Sequence, residues 1–559
     1  MISARHRLAT GWRLTLVAVA LVVVGVVAAW GIPMVRSRTN ASGTSAHPEA
    51  CANQVLDTPK KLVDCVTEED LWAHMVKFQQ IADAHPGADG HPSRNSGEPG
   101  YKASADYVAE VMRDAGYHVT LQEYTFPYFS FVGTPVLREE SPTPHSFALG
   151  RDFNPQPLAG STTAKVQPAD GMVVPATPAP SSASGCRASD FARFVPGRIA
   201  LVQRGGCTFA QKVANAQTAG ALAVVIFNEG NPGRSDVFSG DLAGTERIPV
   251  MFTSYAVGTQ LLGQYSPSSG PTLTIDVKTI DDPSRSDWNV IADSKGGDPN
   301  NILVIDAHLD AIFGAGMLDN ASGSAAILDI AQQLRSTNTR NKLRFIWFGG
   351  EELGLLGSRH YVKALPADEL AKIKFDLDAD VLATPNYVAG VLDPKDGVDL
   401  FARRPGTPMA PSIWGASALA RGYGTSYLDS IGKHHVLFSS DGTDAFVFQQ
   451  AGVPASGVLT GQDCCKLASD VTLFGGHEGN FEGTVPGGDG GCVDNPFRWC
   501  DNLGNNDPEV LTWMSKTFAT MVGHLAYDTR VFNSAQDHGR LKQHGPPAGV
   551  VTPPAPVTS

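Results

Sequence analysis

Short apolar runs alternate with amphipathic stretches along the second half of the chain. Residues 289–293, 301–306 and 343–348 have the apolar character of buried strands, and residues 321–334 carry apolar positions at helical spacing. A final amphipathic helix is predicted over residues 508–527. Strands that alternate with helices predict an α/β fold, in which a mixed, mostly parallel sheet is sandwiched by helices.

A separate block of alternating elements is predicted after residues 168–185, a Pro-, Ser- and Ala-rich stretch that marks a boundary. Before this boundary an amphipathic helix begins after Thr67, and Thr67 with the acidic residues 68–70 predicts a capped first turn. The other predicted elements are a helix over residues 103–115, a strand over 117–124 and, in the separate block, a strand over 198–203, a helix over 209–219 and a strand over 221–227.

The size, net charge and cysteines of the chain restrict the number of domains, the partners and the compartment that we expect. At 559 residues it is too long for one hydrophobic core, so we expect two or more domains. A net charge of -13 argues against a nucleic-acid partner, which would favour a basic face. Close spacing of the eight cysteines suggests local disulfides in an exported protein. The cysteines group as Cys51 and Cys65, Cys186 and Cys207, Cys464 and Cys465, and Cys492 and Cys500.

The N-terminal segment predicts export. Arg5, Arg7 and Arg13 precede an apolar run over residues 14–30. A cleaved signal peptide and an uncleaved membrane anchor both fit this pattern, and we favour the anchor, although the run is near the lower length limit for a spanning helix. Either alternative places the rest of the chain outside the cytoplasm, as a membrane-anchored or secreted protein.

Polar residues that follow two of the predicted strands indicate a metal site. His308 and Asp310 come directly after the first strand, and Asp319 follows nine residues later. Glu351 and Glu352 follow the second strand through a pair of glycines. The ends of parallel strands are where an α/β enzyme assembles its site. Imidazole and carboxylate ligands without thiolates suit a catalytic zinc that keeps a position for water.

Residues 197–209 (GRIALVQRGGCTF) resemble the protease-associated (PA) domain, and residues 212–216 and 219–221 continue the resemblance. Such domains are inserted in or appended to peptidases and usually lack catalytic groups. The resemblance implies a small inserted α/β domain over residues 166–278. By analogy alone, we expect this domain to act as a lid or to contact the substrate.

Much of the remaining chain resembles secreted co-catalytic zinc aminopeptidases of the bacterial leucine aminopeptidase and aminopeptidase Y type. The matching stretches are residues 94–115, 308–323, 348–361 (FGGEELGLLGSRHY), 378–387 (DADVLATPNY) and 443–457. The resemblance implies a fold of the zinc-exopeptidase type. The expected division of the chain is an anchor or signal segment with linker at 1–50, a peptidase domain formed by 51–165 and 279–532, and a Pro-rich disordered tail at 533–559.

The resemblance also implies a set of metal ligands. It makes His308 and Asp380 ligands of a first zinc and Glu352 a ligand of a second zinc. Asp319 matches the carboxylate that bridges the two metals. In these enzymes the two metals share a water molecule and lower its pKa. The resemblance therefore implies two zinc ions per chain.

Two further carboxylates are implied as groups that act beside the metals. Glu351 matches the general base, and Asp310 matches the carboxylate that orients His308. We expect Glu351 and Glu352 to lie on a helix, where neighbouring side chains point about 100° apart. This divergence suits one residue on the metal and one that faces water.

The chain departs from the resembled enzymes at their last ligand, a histidine in a short loop between two cysteines. The loop here, residues 492–500, is three residues longer and contains no histidine. Counted from its first cysteine, Asp494 takes the ligand position; counted from its second, Phe497 does, and phenylalanine cannot bind zinc. The second zinc is then held by a carboxylate, bound weakly or missing. We assign Asp494 to it, with His477 in the preceding loop as the alternative ligand.

These features predict an exported zinc aminopeptidase that removes N-terminal residues from peptides or proteins and is attached to the membrane by its N-terminal helix. One alternative is a single-zinc relative similar to glutaminyl cyclase. Another is a peptidase-like binding protein that has lost turnover. The altered loop at residues 492–500 supports both alternatives, whereas the bridging Asp319 argues against the first and the retained Glu351 against the second.

Overall fold

The computed structural model describes residues 51, 54–176, 182–240, 242, 244–400, 403–462, 465–481 and 498–528. The predicted anchor and linker at residues 1–50, the Pro-rich tail at 533–559 and Asp494 lie outside the described residues. None of the described helices is long and apolar enough to cross a membrane.

The described residues form the following elements. The helices are α1 (Pro59–Cys65), α2 (Glu68–Ala84), α3 (Pro99–Asp114), α4 (Phe209–Thr218), α5 (Tyr255–Gly263), α6 (Ser322–Leu334), α7 (Leu356–Ala364), α8 (Ala367–Leu370), α9 (Pro411–Ser430), α10 (Ala445–Gln450), α11 (Ala468–Phe474) and α12 (Pro508–Leu525). The strands are β1 (His118–Phe131), β2 (Val136–Ser141), β3 (His145–Ser146), β4 (Phe153–Pro155), β5 (Gly160–Pro168), β6 (Ile199–Gln203), β7 (Ala223–Phe227), β8 (Val250–Thr253), β9 (Thr272–Val277), β10 (Thr279–Asp293), β11 (Asp298–His308), β12 (Asn341–Phe348), β13 (Ile373–Ala379), β14 (Gly390–Leu392), β15 (Val398–Asp399), β16 (Arg404–Pro405), β17 (Val436–Phe438) and β18 (Ala455–Leu459).

The larger sheet has ten strands in the order β1-β10-β12-β11-β13-β18-β14-β17-β15-β16. Its centre, from β12 through β11 and β13 to β18, is parallel, and antiparallel pairs occur towards both edges. The predicted α/β fold with a mixed, mostly parallel sheet is therefore confirmed.

Strand β11 shows why helices cover both faces of this sheet. Its apolar side chains alternate between two cores, Leu303 and Ile305 in one and Ile302 and Val304 in the other. The first core is completed by α2, α3, α6 and α12, and the second by residues of α7 and α10. Since successive strand side chains point to opposite faces, a continuous apolar run requires this double cover. Burial of each such side chain stabilises the fold by roughly 1.5–3 kcal/mol.

A second sheet of eight strands has the order β3-β2-β9-β5-β6-β7-β8-β4. Its strand β6 is completely buried and alternates in the same way, so that α4 and α5 pack on opposite faces. Along the chain, the first strand of this sheet is β2. The sheet therefore includes strands from residues 136–165, which the sequence assigns to the first part of the peptidase domain. Short, largely polar strands such as β2 and β3 carry little apolar signal.

Two of the predicted cysteine pairs are confirmed as disulfides. Cys51 is bonded to Cys65, and Cys186 is bonded to Cys207. Cys465 and Cys500 each take part in a disulfide as well. Bonded cysteines are typical of proteins outside the reducing cytoplasm, so the cysteines indicate an extracytoplasmic protein.

Candidate active site

Three neighbouring parallel strands deliver polar side chains to one edge of the larger sheet. His308 is the last residue of β11, Asp380 directly follows β13, and Glu351 comes three residues after the end of β12. Because β12, β11 and β13 are parallel and adjacent, their carboxyl ends lie side by side. Asp319 reaches the same edge from the segment Met317–Ala321, which leads into α6.

His308, Asp319 and Asp380 form a buried group that fits a metal ion. His308 Nε2 lies 3.0 Å from Asp319 Oδ1 and 3.3 Å from Asp380 Oδ1. Within the described ranges, this is the one group of three His, Cys, Asp or Glu side chains whose donor atoms all lie within 4.8 Å of one another. Both of these carboxylate oxygens are buried without a hydrogen bond. Buried anionic oxygens require a compensating cation, so the donor set fits a metal.

Asp310 connects the histidine to the turn that carries the two glutamates. Its Oδ1 lies 3.5 Å from His308 Nδ1. The same carboxylate accepts hydrogen bonds from the backbone N–H groups of Glu351, at 3.2 Å, and Glu352, at 3.4 Å. One buried side chain thus faces the ring of His308 and fixes the backbone of the next strand end. Its predicted role in orienting His308 remains a prediction.

The expectation that Glu351 and Glu352 lie on a helix is wrong. Helix α7 begins only at Leu356, and residues 351–355 form a turn. Gly350 and Leu355 bound this turn with φ values of 65° and 62°, which helical residues do not adopt. The two carboxylates still diverge, because the turn directs Glu351 Oε2 to within 4.0 Å of His308 Nε2 and Glu352 Oε1 to within 3.5 Å of Arg498 Nη1.

The surroundings of the two glutamates and of Asp319 shift the pKa of these side chains in opposite directions. Burial raises the pKa of both Glu351 and Glu352 well above the usual range, and neighbouring carboxylates add to this effect. Burial also acts to raise the pKa of Asp319, but Arg498 and His308 outweigh it and lower that pKa to about 2. Asp319 is therefore ionised at neutral pH, whereas burial makes each glutamate a stronger base than an exposed one.

Arg498 is a site residue that the sequence reasoning did not identify. Its Nη1 lies 2.9 Å from Asp319 Oδ2 and 3.5 Å from Glu352 Oε1, and the side chain is 12% exposed. The signal was a cation two residues before Cys500, inside the loop where the resembled enzymes carry their last ligand. The residue types expected as metal ligands do not include arginine, because an arginine cannot bind a metal.

Two more side chains support the segment that carries Asp319. The Asp501 carboxylate accepts hydrogen bonds from the backbone N–H groups of Leu318, at 2.7 Å, and Asp319, at 3.1 Å. The buried Arg94 guanidinium donates to the carbonyl oxygens of Leu309 and Ala315, at 2.7 Å and 2.6 Å. These contacts hold the connection from β11 to α6 from two sides.

The alternative ligand His477 lies in a different environment. It is exposed, and its backbone N–H donates to the side chain of Asn386 at 3.1 Å. It does not belong to the group formed by His308, Asp319 and Asp380. The assignment of Asp494 to a second zinc remains a prediction, because Asp494 lies outside the described residues.

Comparison with protein families and known proteins agrees with this arrangement. The model of peptidase family M28 matches residues 289–522, and the model of the PA domain matches residues 169–261. An aminopeptidase of Pseudomonas aeruginosa is 33% identical over 495 residues, which cover 87% of this chain and 86% of that protein. A probable lipoprotein aminopeptidase, LpqL, of Mycobacterium tuberculosis is 36% identical over 418 residues, covering 74% of this chain and 77% of that protein.

Solved structures show the same fold. A zinc aminopeptidase from Bacillus subtilis superposes with a TM-score of 0.52 at 22% identity, covering 83% of this chain and 96% of that one. An aminopeptidase from an Aneurinibacillus strain gives the same TM-score at 19% identity. The zinc-exopeptidase type of fold is thus confirmed.

The chain is a metallo-exopeptidase by its family, its fold and its buried donor group. It belongs to peptidase family M28 and carries a PA domain. The expected resemblance to aminopeptidases, the expected enzyme class and the expected PA domain are all confirmed.

Proposed function

We propose that this chain is an extracytoplasmic zinc aminopeptidase that removes single N-terminal residues from peptides and proteins. The observation that carries the proposal is the buried group of His308, Asp319 and Asp380 at the strand ends of an M28 chain. Zinc follows from the imidazole and carboxylate donors and from the zinc aminopeptidase that shares the fold. Zinc bound by these residues would act as a Lewis acid and lower the pKa of a water molecule.

Glu351 is the residue that we assign to proton transfer. Its carboxylate lies 4.0 Å from His308 Nε2, and burial raises its pKa, which makes it a stronger base than an exposed glutamate. It would take a proton from the attacking water and pass that proton to the leaving amine. Asp310 would keep the His308 ring in place from the opposite nitrogen.

A cleft beside Asp380 is our candidate for the pocket that receives the N-terminal side chain. Its apolar wall is formed by Leu400, Phe438 and Leu459, and Asp399 and Asp441 also line it. The Asp441 carboxylate at its rim already accepts hydrogen bonds from Ser439 and from the Thr407 backbone. Asp399 is paired with Arg404, and Asp441 is engaged as described, so we expect an uncharged aliphatic residue such as leucine to pack against the apolar wall.

The N-terminal segment is the part of the chain that we assign to membrane attachment. Arginines at positions 5, 7 and 13 precede the apolar run at residues 14–30, which is the order of charges and apolar residues in an anchor or signal segment. The disulfides of the folded part are consistent with catalysis outside the cytoplasm.

The proposal is tested by Glu351→Gln, with Glu369→Gln as the control. Glu369, on α8, pairs with Lys372 and has no assigned role in catalysis. We expect Glu351→Gln to lower kcat for aminoacyl 4-nitroanilides by about 10²–10⁴-fold at unchanged zinc content, and Glu369→Gln to behave as the unsubstituted protein. Full activity of Glu351→Gln would contradict the assignment of the base.

A further inference from the structure

The Arg498 guanidinium lies beside two carboxylates that the family resemblance implies as ligands of a second zinc. Arg498 Nη1 is 2.9 Å from Asp319 Oδ2 and 3.5 Å from Glu352 Oε1. The sequence assigns both of these carboxylates, together with Asp494, to the second zinc. The other oxygen of Asp319, Oδ1, faces His308 Nε2 at 3.0 Å. Asp319 therefore divides its carboxylate between the metal group and an arginine.

Arg498 is held in this place by its neighbours along the chain. The Trp499 ring stacks on His91 at a centroid distance of 3.6 Å, and its Nε1 donates to Asp89 at 2.8 Å. The Arg498 carbonyl accepts a hydrogen bond from the backbone N–H of Asp501 at 3.0 Å.

The backbone at Arg498 also packs directly on Gly314, where an added Cβ would lie 2.5 Å from the Arg498 carbonyl oxygen. A segment fixed at residues 498, 499 and 501 and by the disulfide of Cys500 presents the guanidinium to the site in a defined position.

The described residues offer one group of three donors for a metal ion, and the carboxylates beside that group are already engaged by an arginine. The one group of three donors is His308, Asp319 and Asp380. Within the described part of the chain, the carboxylates of Asp319 and Glu352 face the second position, and Arg498 already pairs with both. A divalent cation there would compete with the guanidinium for the same oxygen atoms, and the two positive charges would repel each other at short range.

We propose that Arg498 takes the place of a second metal ion, so that the enzyme holds one zinc and uses the guanidinium as its second cation. Zinc lies with His308, Asp319 and Asp380, and Arg498 supplies a fixed positive charge to Asp319 and Glu352. This inference rests on the proposed function as a zinc peptidase, but it concerns how many metal ions bind and not whether turnover occurs.

The test is zinc binding to the full-length protein after metal removal, measured by competition with a chromophoric chelator. The unsubstituted protein should saturate at one zinc per chain. In Arg498→Ala the freed carboxylates should bind a second zinc, at least about tenfold more tightly than the unsubstituted protein does. Arg498→Lys keeps a cation and should remain at one zinc.

Arg421→Ala is the matched control, because it removes another arginine from an ion pair, with Asp393, that has no part in the site. It should remain at one zinc. Two zinc ions of similar affinity in the unsubstituted protein would overturn the proposal. So would an Arg498→Ala protein that retains one tight zinc and binds no second one.

A spectroscopic measurement on the unsubstituted protein covers the case in which Arg498→Ala does not fold. Cobalt(II)-loaded protein should give the electron paramagnetic resonance spectrum of isolated ions, and spin coupling between paired ions would overturn the proposal. Failure of the proposed function looks different, since it would leave one bound zinc and no hydrolysis of any aminoacyl substrate.

Discussion

At the scale of single residues, the site depends on carboxylates whose surroundings give each a different task. Asp319 is ionised because Arg498 and His308 lower its pKa to about 2 against the effect of burial. Glu351 is buried and has a raised pKa, which suits proton transfer. Asp310 uses its oxygens to hold backbone and ring geometry. The residue types are the same, and their environments separate their roles.

Asp310→Asn tests the role of Asp310 directly. The amide keeps the shape of the carboxylate but loses one acceptor, so it cannot both face His308 and receive the backbone N–H groups of Glu351 and Glu352. We expect zinc affinity to fall by about 10–100-fold, measured by chelator competition. The control is Asp298→Asn, because exposed Asp298 also accepts a backbone N–H, from Asn300. Unchanged zinc affinity in Asp310→Asn would contradict the assignment.

Asp329 on α6 predicts a dependence of stability on pH that is separate from the metal site. Burial raises its pKa to about 7, and a hydrogen bond from Gln333 offsets this only in part. Because the folded state binds the proton more tightly than the unfolded state, this group lowers the free energy of unfolding as pH rises from about 4 to 7. We expect Asp329→Asn to remove that loss.

The measurement is urea unfolding of Asp329→Asn at pH 4 and pH 8. The variant should be more stable than the unsubstituted protein by roughly 2–4 kcal/mol at pH 8 and nearly equal to it at pH 4. Asp83→Asn is the control, since exposed Asp83 also accepts a hydrogen bond from a glutamine on its own helix. An equal effect of Asp329→Asn at both pH values would refute the prediction.

At the scale of elements, the strands that build the site could be predicted from sequence, and the connections between them could not. Apolar runs located β11 and β12, because buried parallel strands leave a continuous apolar signal. The turn that carries Glu351 was taken for a helix, because its residue types are helix-forming and only the φ values at Gly350 and Leu355 exclude a helix. Arg498 was missed because its position depends on contacts with residues distant in sequence.

Gly314→Ala tests whether the contact between two loops positions Arg498. An added Cβ would lie 2.5 Å from the Arg498 carbonyl oxygen and must displace one of the two segments. We expect a loss of about 1–3 kcal/mol in stability together with lower activity. In the control Gly415→Ala on α9, an added Cβ meets nothing within 4 Å, so stability should be unchanged or higher. Equal behaviour of the two variants would show that this contact does not matter.

At the scale of the whole molecule, the described residues form two sheets with separate hydrophobic cores, and the metal group belongs to one of these sheets. The larger sheet carries all the residues of the metal group at the ends of its parallel strands or beside them. The match to the PA domain, residues 169–261, covers β6, β7 and β8 of the smaller sheet. Trp499, next to Arg498, packs partly against the core of the smaller sheet. The loop that completes the site therefore contacts both parts of the protein.

The most direct test of the account is hydrolysis of leucine 4-nitroanilide and N-acetyl-leucine 4-nitroanilide by the full-length protein, before and after metal removal. The account predicts that only the substrate with a free amine is cleaved, that chelation abolishes cleavage and that added zinc restores it. Cleavage that survives chelation, cleavage of the acetylated substrate at an equal rate, or no cleavage at any zinc concentration would contradict the assignment as a zinc aminopeptidase.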